Sequence, residues 1–225
     1  MARTNHRSNH RSSAARLAPE ACVGRLSLYV RELARLKTQG AGFVSSKRLA
    51  QQLGVTDAQV RRDLSYFGQF GTSGRGYEVR RLHDRLSSIL GVADRTWNVA
   101  LAGLGNLGSA LLAHQGFRER GFLFKVIVDA DPQKIGRTVH GLSVASSHQL
   151  ATLVRKHGIH IGLIAVPVEA AQAVCDQLVE SGVRAIVNFA PVRLDAPPSV
   201  WLRSVDLVVE LESLAFYLAQ KPVSA

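Results

Sequence analysis

Gly103-Leu104-Gly105-Asn106-Leu107-Gly108 follows the apolar run Trp97-Asn98-Val99-Ala100-Leu101-Ala102 and precedes Ser109-Ala110-Leu111-Leu112-Ala113. The order is strand, glycine loop, helix, the context in which G-x-G-x-x-G builds a dinucleotide site. Gly103 permits the tight turn, Gly105 lets the backbone approach a pyrophosphate, and Gly108 lets the helix pack closely on the strand. The helix amino end offers free N–H groups and the positive end of its dipole to phosphates. Leu104, Asn106 and Leu107 complete the loop as candidate contacts.

Downstream the pattern alternates. Strands are expected over 97–102, 123–128, 160–166 and 185–189, and helices over 106–114, 147–157 and 168–181. Such alternation predicts a doubly wound parallel sheet with helices on both faces, a Rossmann domain over 92–204. The second strand ends in Val128-Asp129-Ala130-Asp131, about the right distance beyond Gly108 for the acid that binds a ribose hydroxyl. An acid there favours NAD over NADP; Lys134 and Arg137 keep a 2′-phosphate open, and Asp129 is alternatively a helix cap before Pro132. The ends of later strands should line the crevice: Val166-Pro167 and Asn188-Phe189-Ala190. Asn188 either bonds a nicotinamide carboxamide or closes the turn before Pro191. A short strand over 200–204 precedes a last helix from Asp206 to about Gln220, with Leu207, Val208, Leu211, Leu214 and Leu218 on a broad apolar face. That face packs within its own domain or on a second subunit.

Upstream the composition changes. Of the net charge of +11, residues 1–90 carry +10 and the rest +1. Such asymmetry points to a polyanion as the partner of the first part. Residues 1–18 read as a disordered basic arm and 19–91 as a separate domain. A first helix is expected from Pro19 to Gln39, with Leu26, Val30, Leu33 and Leu36 in one stripe. A second runs from Ser45-Ser46 to Gly54. Thr56-Asp57-Ala58-Gln59 is a capping box, opening a third helix with Val60, Leu64 and Phe67 on one side and Arg61, Arg62 and Ser65 elsewhere. Two short helices joined by Gly-Val-Thr fit a helix-turn-helix, whose second helix enters the major groove. Phe70-Gly71-Thr72-Ser73-Gly74-Arg75-Gly76-Tyr77 then reads as a hairpin wing whose Arg75 could enter a minor groove, or as a flexible loop with an incidental arginine. The candidate DNA contacts are Ser46, Lys47, Gln59, Arg61, Arg62, Ser65, Tyr66 and Arg75. A fourth helix is expected from Arg80 to Leu90.

Several chemistries are missing. Cys22 and Cys175 suit reduced thiols better than a disulfide framework. The residues Met1–Arg16 lack the apolar core of a secretory signal, so a cytoplasmic protein is expected, and no stretch has the length of a membrane helix. There is no metal-ligand motif and no G-x-S-x-G nucleophile. Little chain remains for a substrate domain, so a dinucleotide would be sensed, and no enzyme is expected. Two alternatives stay open: a small NAD-dependent oxidoreductase with a basic appendage, and a DNA-binding repressor answering another nucleotide or none.

These segments together resemble the Rex family of bacterial redox-sensing transcriptional repressors, over nearly the whole chain after about residue 20. The pieces that carry the resemblance are Gln59-Val60-Arg61-Arg62-Asp63-Leu64-Ser65-Tyr66-Phe67-Gly68, the wing ending Gly76-Tyr77, the Gly-Asn-Leu-Gly loop, Asp129-x-Asp131-Pro132-x-Lys134-Ile135-Gly136, and Asn188-Phe189-Ala190-Pro191. The resemblance implies a homodimer whose winged helix binds an inverted-repeat operator and whose Rossmann domain binds NADH or NAD, with NADH releasing the DNA. It implies a last helix that reaches across to the partner, where Asp206 and Leu207 match positions at the partner's cofactor pocket. Arg31 matches a first-helix arginine that pairs with that aspartate in one state. The chain departs at His114, where the family often has a tyrosine that couples the nicotinamide to the partner's aspartate, and at Leu207, where some members have an aromatic.

Overall fold

The computed structural model describes residues 18–220. All but the last residue of the expected basic arm therefore lies outside the described residues. The chain divides into two compact units, 1–94 and 95–225, a boundary slightly beyond the one expected at residue 91.

The first unit runs α1 (Glu20–Thr38), β1 (Phe43–Val44), α2 (Ser46–Leu53), α3 (Asp57–Ser65), β2 (Gly71–Thr72), β3 (Gly76–Glu78) and α4 (Val79–Ile89). Along α1, Cys22, Leu26, Tyr29, Leu33 and Leu36 recur every three or four residues and are buried together. Ser45 caps α2 by accepting from the Arg48 N–H at 3.1 Å, and Gly54 ends it at φ 65°. Thr56 caps α3 by accepting from the Gln59 N–H at 3.1 Å. Helix α3 stops at Ser65, short of the expected run to Phe67. The three short strands form an antiparallel sheet in the order β1-β3-β2, so the wing is a hairpin laid on a strand that precedes the helix-turn-helix.

One interaction in this unit escaped the sequence reading. Asp63, which directly follows Arg61 and Arg62 in α3, is buried. Its carboxylate accepts from Arg25 Nε at 2.6 Å and NH2 at 2.8 Å, from the Tyr29 hydroxyl at 2.7 Å and from the Gln59 amide at 2.7 Å. These bonds tie α3 to α1. Burial alone would raise the Asp63 carboxyl, but its donors outweigh that and hold it at about 2.

The second unit runs β4 (Trp97–Ala102), α5 (Asn106–Ala113), α6 (Gly116–Glu119), β5 (Phe122–Asp129), β6 (Thr138–Val139), β7 (Leu142–Ser146), a 3-10 turn (Ser147–Gln149), α7 (Leu150–Lys156), β8 (Ile161–Ile164), α8 (Val168–Glu180), β9 (Ala185–Asn188), β10 (Trp201–Ser204) and α9 (Leu207–Gln220). Its sheet has the order β10-β9-β8-β4-β5-β7-β6. Every pairing is parallel except β6 with β7. The expected doubly wound sheet is present, with an antiparallel edge hairpin added by a His140-Gly141 turn in which both residues have positive φ, 48° and 79°. Helices α7 and α8 enclose one core with Val126, Val128, Ile164 and Ile186. The other face buries Val99, Leu101, Ile127 and Leu163.

Acid should probe the Asp63 cluster. A carboxyl depressed from 3.8 to about 2 contributes stability that is complete above the higher value and lost as pH falls toward the lower. Denaturant melts of the first unit's signal should show a decline between about pH 4 and 2. Asp63→Asn should cost about 2–3 kcal/mol at neutral pH and flatten that decline; an unaltered acid limb in the variant would assign it to other groups.

Candidate functional site

The chain leaves β4 through Gly103, at φ 94°, and enters α5 with Gly105 as its N-cap and no side chain capping the helix. A Cβ on Gly103 would collide with the Ala165 carbonyl beyond β8, and a Cβ on Gly108 with the Gly103 carbonyl. Both glycines are required by packing. Gly105 is different: a Cβ there would meet nothing within 4 Å. Its bareness keeps a space open in front of the uncapped helix N-terminus, which is what an approaching pyrophosphate needs. Leu104 is buried beneath the loop while Asn106 and Leu107 are exposed on it.

Strand β4 is flanked by β5 on one side and β8 on the other. The strand order therefore reverses there, and the crevice beyond the carboxyl ends of β4 and β8 is where such sheets bind ligands. Asp129, at the end of β5, closes one side. Its carboxylate accepts from the Leu104 N–H at 2.7 Å, the Asp131 N–H at 2.8 Å and Lys134 Nζ at 3.2 Å. Burial would raise this carboxyl, yet those donors hold it below the usual range. Asp129 thus shapes the loop as well as facing it. Asp131 is more open, with its side chain 41 % exposed, and Lys134 reaches it at 3.8 Å. Lys134 therefore stands between two carboxylates, which compensates the positive charge that a 2′-phosphate would seek. Ala130 is exposed and Val166 half-buried, while Pro167 is exposed at the start of α8.

Asn188 lies at the end of β9. Its side chain is fully buried. The amide donates to the carbonyls of Ala190 at 3.0 Å and Val192 at 2.8 Å, and its oxygen accepts from the Ala190 N–H at 2.9 Å. It holds the loop after β9 rather than reaching a carboxamide, and so sets where half-buried Phe189 and buried Ala190 lie.

On the first unit, Arg61, Arg62, Ser65 and Tyr66 are exposed on and just after α3, and Lys47 on α2; Ser46 is half-buried. Arg61 donates to Asp57 at 2.6 Å and Ser46 at 3.2 Å. Burial pushes the Tyr77 phenol up, and the charge of the Arg61 guanidinium opposes the rise. The Gln59 amide donates to Asp63, which commits it to the protein rather than leaving it free for a base. Arg75 is exposed in the wing turn.

His114 ends α5 and packs edge-on against Phe117 at 5.4 Å. It borders a cavity of about 470 Å³ with Arg118, Phe124, Lys125 and His140, which the sequence reading did not foresee because the edge hairpin that closes it was missed. Asp206 caps α9 by accepting from the Val208 N–H at 2.9 Å, and Leu207 is exposed; Arg31 is exposed on α1. Among the described residues no group of acidic, His or Cys side chains is placed to hold a metal, and no helix is long and apolar enough to cross a membrane.

Known proteins match both units. Residues 94–192 match the CoA binding domain family, and residues 18–65 match the family of putative DNA-binding protein N-termini. The chain is 50 % identical to the redox-sensing transcriptional repressor Rex of Desulfitobacterium hafniense over 88 % of this chain and 94 % of that one. It is 43 % identical to Rex of Streptomyces coelicolor over 96 % of this chain and 83 % of that one. A solved structure of RSP in complex with β-NAD+ and operator DNA matches with a TM-score of 0.87 at 35 % identity, covering 91 % of this chain and 94 % of that one. RSP in complex with β-NADH matches with a TM-score of 0.82 at 33 % identity, covering 91 % and 95 %.

The two kinds of glycine should separate experimentally. Gly105→Ala, in open space, should leave the melting temperature unchanged and weaken dinucleotide binding about tenfold or more. Gly108→Ala should lower the melting temperature of the second unit, since helix α5 must back away from β4. Undiminished binding by Gly105→Ala would place the phosphates elsewhere.

Proposed function

Because the chain belongs to the Rex family of redox-sensing transcriptional repressors, we propose that it binds an inverted-repeat operator as a homodimer and releases it when NADH occupies the second unit. Transcription then follows the NADH/NAD ratio. It is a regulator, not an enzyme, acting in the bacterial cytoplasm. The observation that carries this reading is the pairing, in one chain, of an open glycine turn on a helix N-terminus with a basic winged helix. The solved complexes support it: the relative RSP binds β-NAD+ and operator DNA together in one and β-NADH in another.

The residues divide the work. The N–H groups opening α5 take the pyrophosphate, Asp129 and Asp131 a ribose, and the strand ends at Val166, Pro167, Phe189 and Ala190 the nicotinamide side. Arg62, Ser65, Tyr66, Lys47 and the wing contact DNA, with Arg61 held ready by Asp57. Helix α9 joins two copies, and Arg31, His114 and Asp206 belong to the element that differs between the DNA-bound and NADH-bound arrangements. For NADH to release DNA it must favour one arrangement over the other; a ligand that bound both equally would shift nothing. By linkage, DNA must then weaken NADH binding by the same factor.

Fluorescence anisotropy of a labelled inverted-repeat operator, titrated with NADH and then NAD, tests this directly. Release by NADH and not by NAD is expected. Binding indifferent to both would remove the sensing part of the proposal. In the same assay Arg62→Ala should cost about 1–3 kcal/mol if its guanidinium pairs with a base; wild-type affinity in that variant would take Arg62 off the base-reading surface.

A further inference from the structure

The wing carries its arginine between two glycines. Gly74 and Gly76 flank Arg75 at φ 77° and 83°. Gly76 has no alternative, because a Cβ there would lie 2.6 Å from the Val44 carbonyl oxygen. Glycine, however, restricts the backbone less than any other residue. The turn itself is closed by a bond from the Arg75 N–H to the Thr72 carbonyl at 3.1 Å, which leaves the long Arg75 side chain unconstrained. Something else must hold it if it is to meet a groove at a fixed place.

Phe43 is that group. It sits in β1, opposite Glu78 of the wing strand β3, and β1 has only this residue and Val44. Val44 points inward and is buried; Phe43 points out and is 42 % exposed. Phe43 is not among the residues of the unit's apolar core. The Arg75 guanidinium lies over its ring, 4.8 Å from the centroid, within the range of a cation–π contact. A guanidinium held over a ring face by its charge is not held by its N–H donors, so the contact does not itself use its hydrogen bonds. The arrangement therefore restrains the charge without consuming its hydrogen bonds.

We propose that Phe43 is a positioning residue for DNA recognition, holding Arg75 in the pose in which the wing meets a narrow minor groove. The proposal rests on the DNA-binding reading above. Arg75 makes the contact; Phe43 acts only through it. The physical benefit is entropic: an arginine already restrained loses less freedom on binding than one free to sweep around a glycine-flanked turn.

The test is a double-mutant cycle with operator DNA in the full chain. Phe43→Leu should weaken operator binding about two- to fivefold, the size of an exposed cation–π contact, with no change in melting temperature. Phe43→Tyr should restore it. Arg75→Gln should weaken binding and reduce the salt slope by about 1, whereas Phe43→Leu, which keeps the charge, should leave the slope unchanged. In the Arg75→Gln background, Phe43→Leu should have no further effect. Equal losses from Phe43→Leu in both backgrounds, or failure of Phe43→Tyr to rescue, would overturn the proposal and make Phe43 a contact or a structural residue in its own right. If the wild type binds but Arg75→Gln binds as tightly, the wing arginine is not a contact and the proposal falls while the repressor reading stands. A wild type that ignores the operator would sink both.

Discussion

Two backbones that approach more closely than any side chain would allow organise the second unit. Gly108 lies against the Gly103 carbonyl, and Gly103 against the carbonyl of Ala165. The first contact pulls the start of α5 onto the end of β4; the second binds the same turn to the strand across the crossover. From there the geometry propagates. The Leu104 N–H, brought inward by the turn, donates to Asp129, so the end of β5 is tied to the loop. Asp129 then orders the Asp131 N–H, and Lys134 is drawn over both carboxylates. The glycine turn and the end of β5 are thus one hydrogen-bonded structure, built outward from two missing side chains.

The first unit solves a different problem, the orientation of a recognition helix. Apolar packing by Val60 and Leu64 holds α3 against its neighbours but resists rotation about its own axis only weakly. The bonds to Asp63 from Arg25, Tyr29 and Gln59 act at one point on its circumference and fix that rotation. Since Arg62 precedes Asp63 in the same helix, its direction follows. A buried ion pair is weak evidence of stability, because desolvation offsets its attraction. Its use here is directional.

How far the sequence could be read depended on whether a feature was periodic or singular. The strand over 97–102 matches β4 at both ends, because an apolar run beside a glycine loop is bounded chemically. The cap at Thr56 was legible because a capping box fixes its own spacing. Strands β6 and β7 were missed because two residues of β6 show no alternation, and the His140-Gly141 turn is a less familiar hairpin signal than Asn-Gly. Asp63 reads in sequence as one more surface charge among arginines; only the fold brings Arg25 and Tyr29, more than thirty positions earlier, to its carboxylate. Asn188 illustrates the converse. The residue was correctly placed at a strand end, but of the two roles open to it, turn closure prevailed, since every polar atom was claimed by the backbone of its own loop.

Helix α9 sets the remaining constraint. It has no buried residue, and Leu207, Leu211, Tyr217 and Leu218 are each more than 60 % exposed. A helix of this length is marginal in water on its own, so this one needs an apolar surface to persist. In the same unit Ile161, Val187 and Phe189 are only half-buried on the sheet face that carries Leu101 and Leu163. In the proposed dimer, each copy supplies the helix and receives its partner's, as a two-fold interface requires. Phe189 follows a strand that ends at the crevice, so a ligand there would act next to the surface proposed to receive the partner's helix. In that proposed dimer the operator's two half-sites would be read by two winged helices. A nucleotide that rearranged the proposed dimer would therefore disturb half-site spacing and leave each winged helix intact. What it removes is specific binding, down to the level that the +10 charge of the first ninety residues sustains on any duplex.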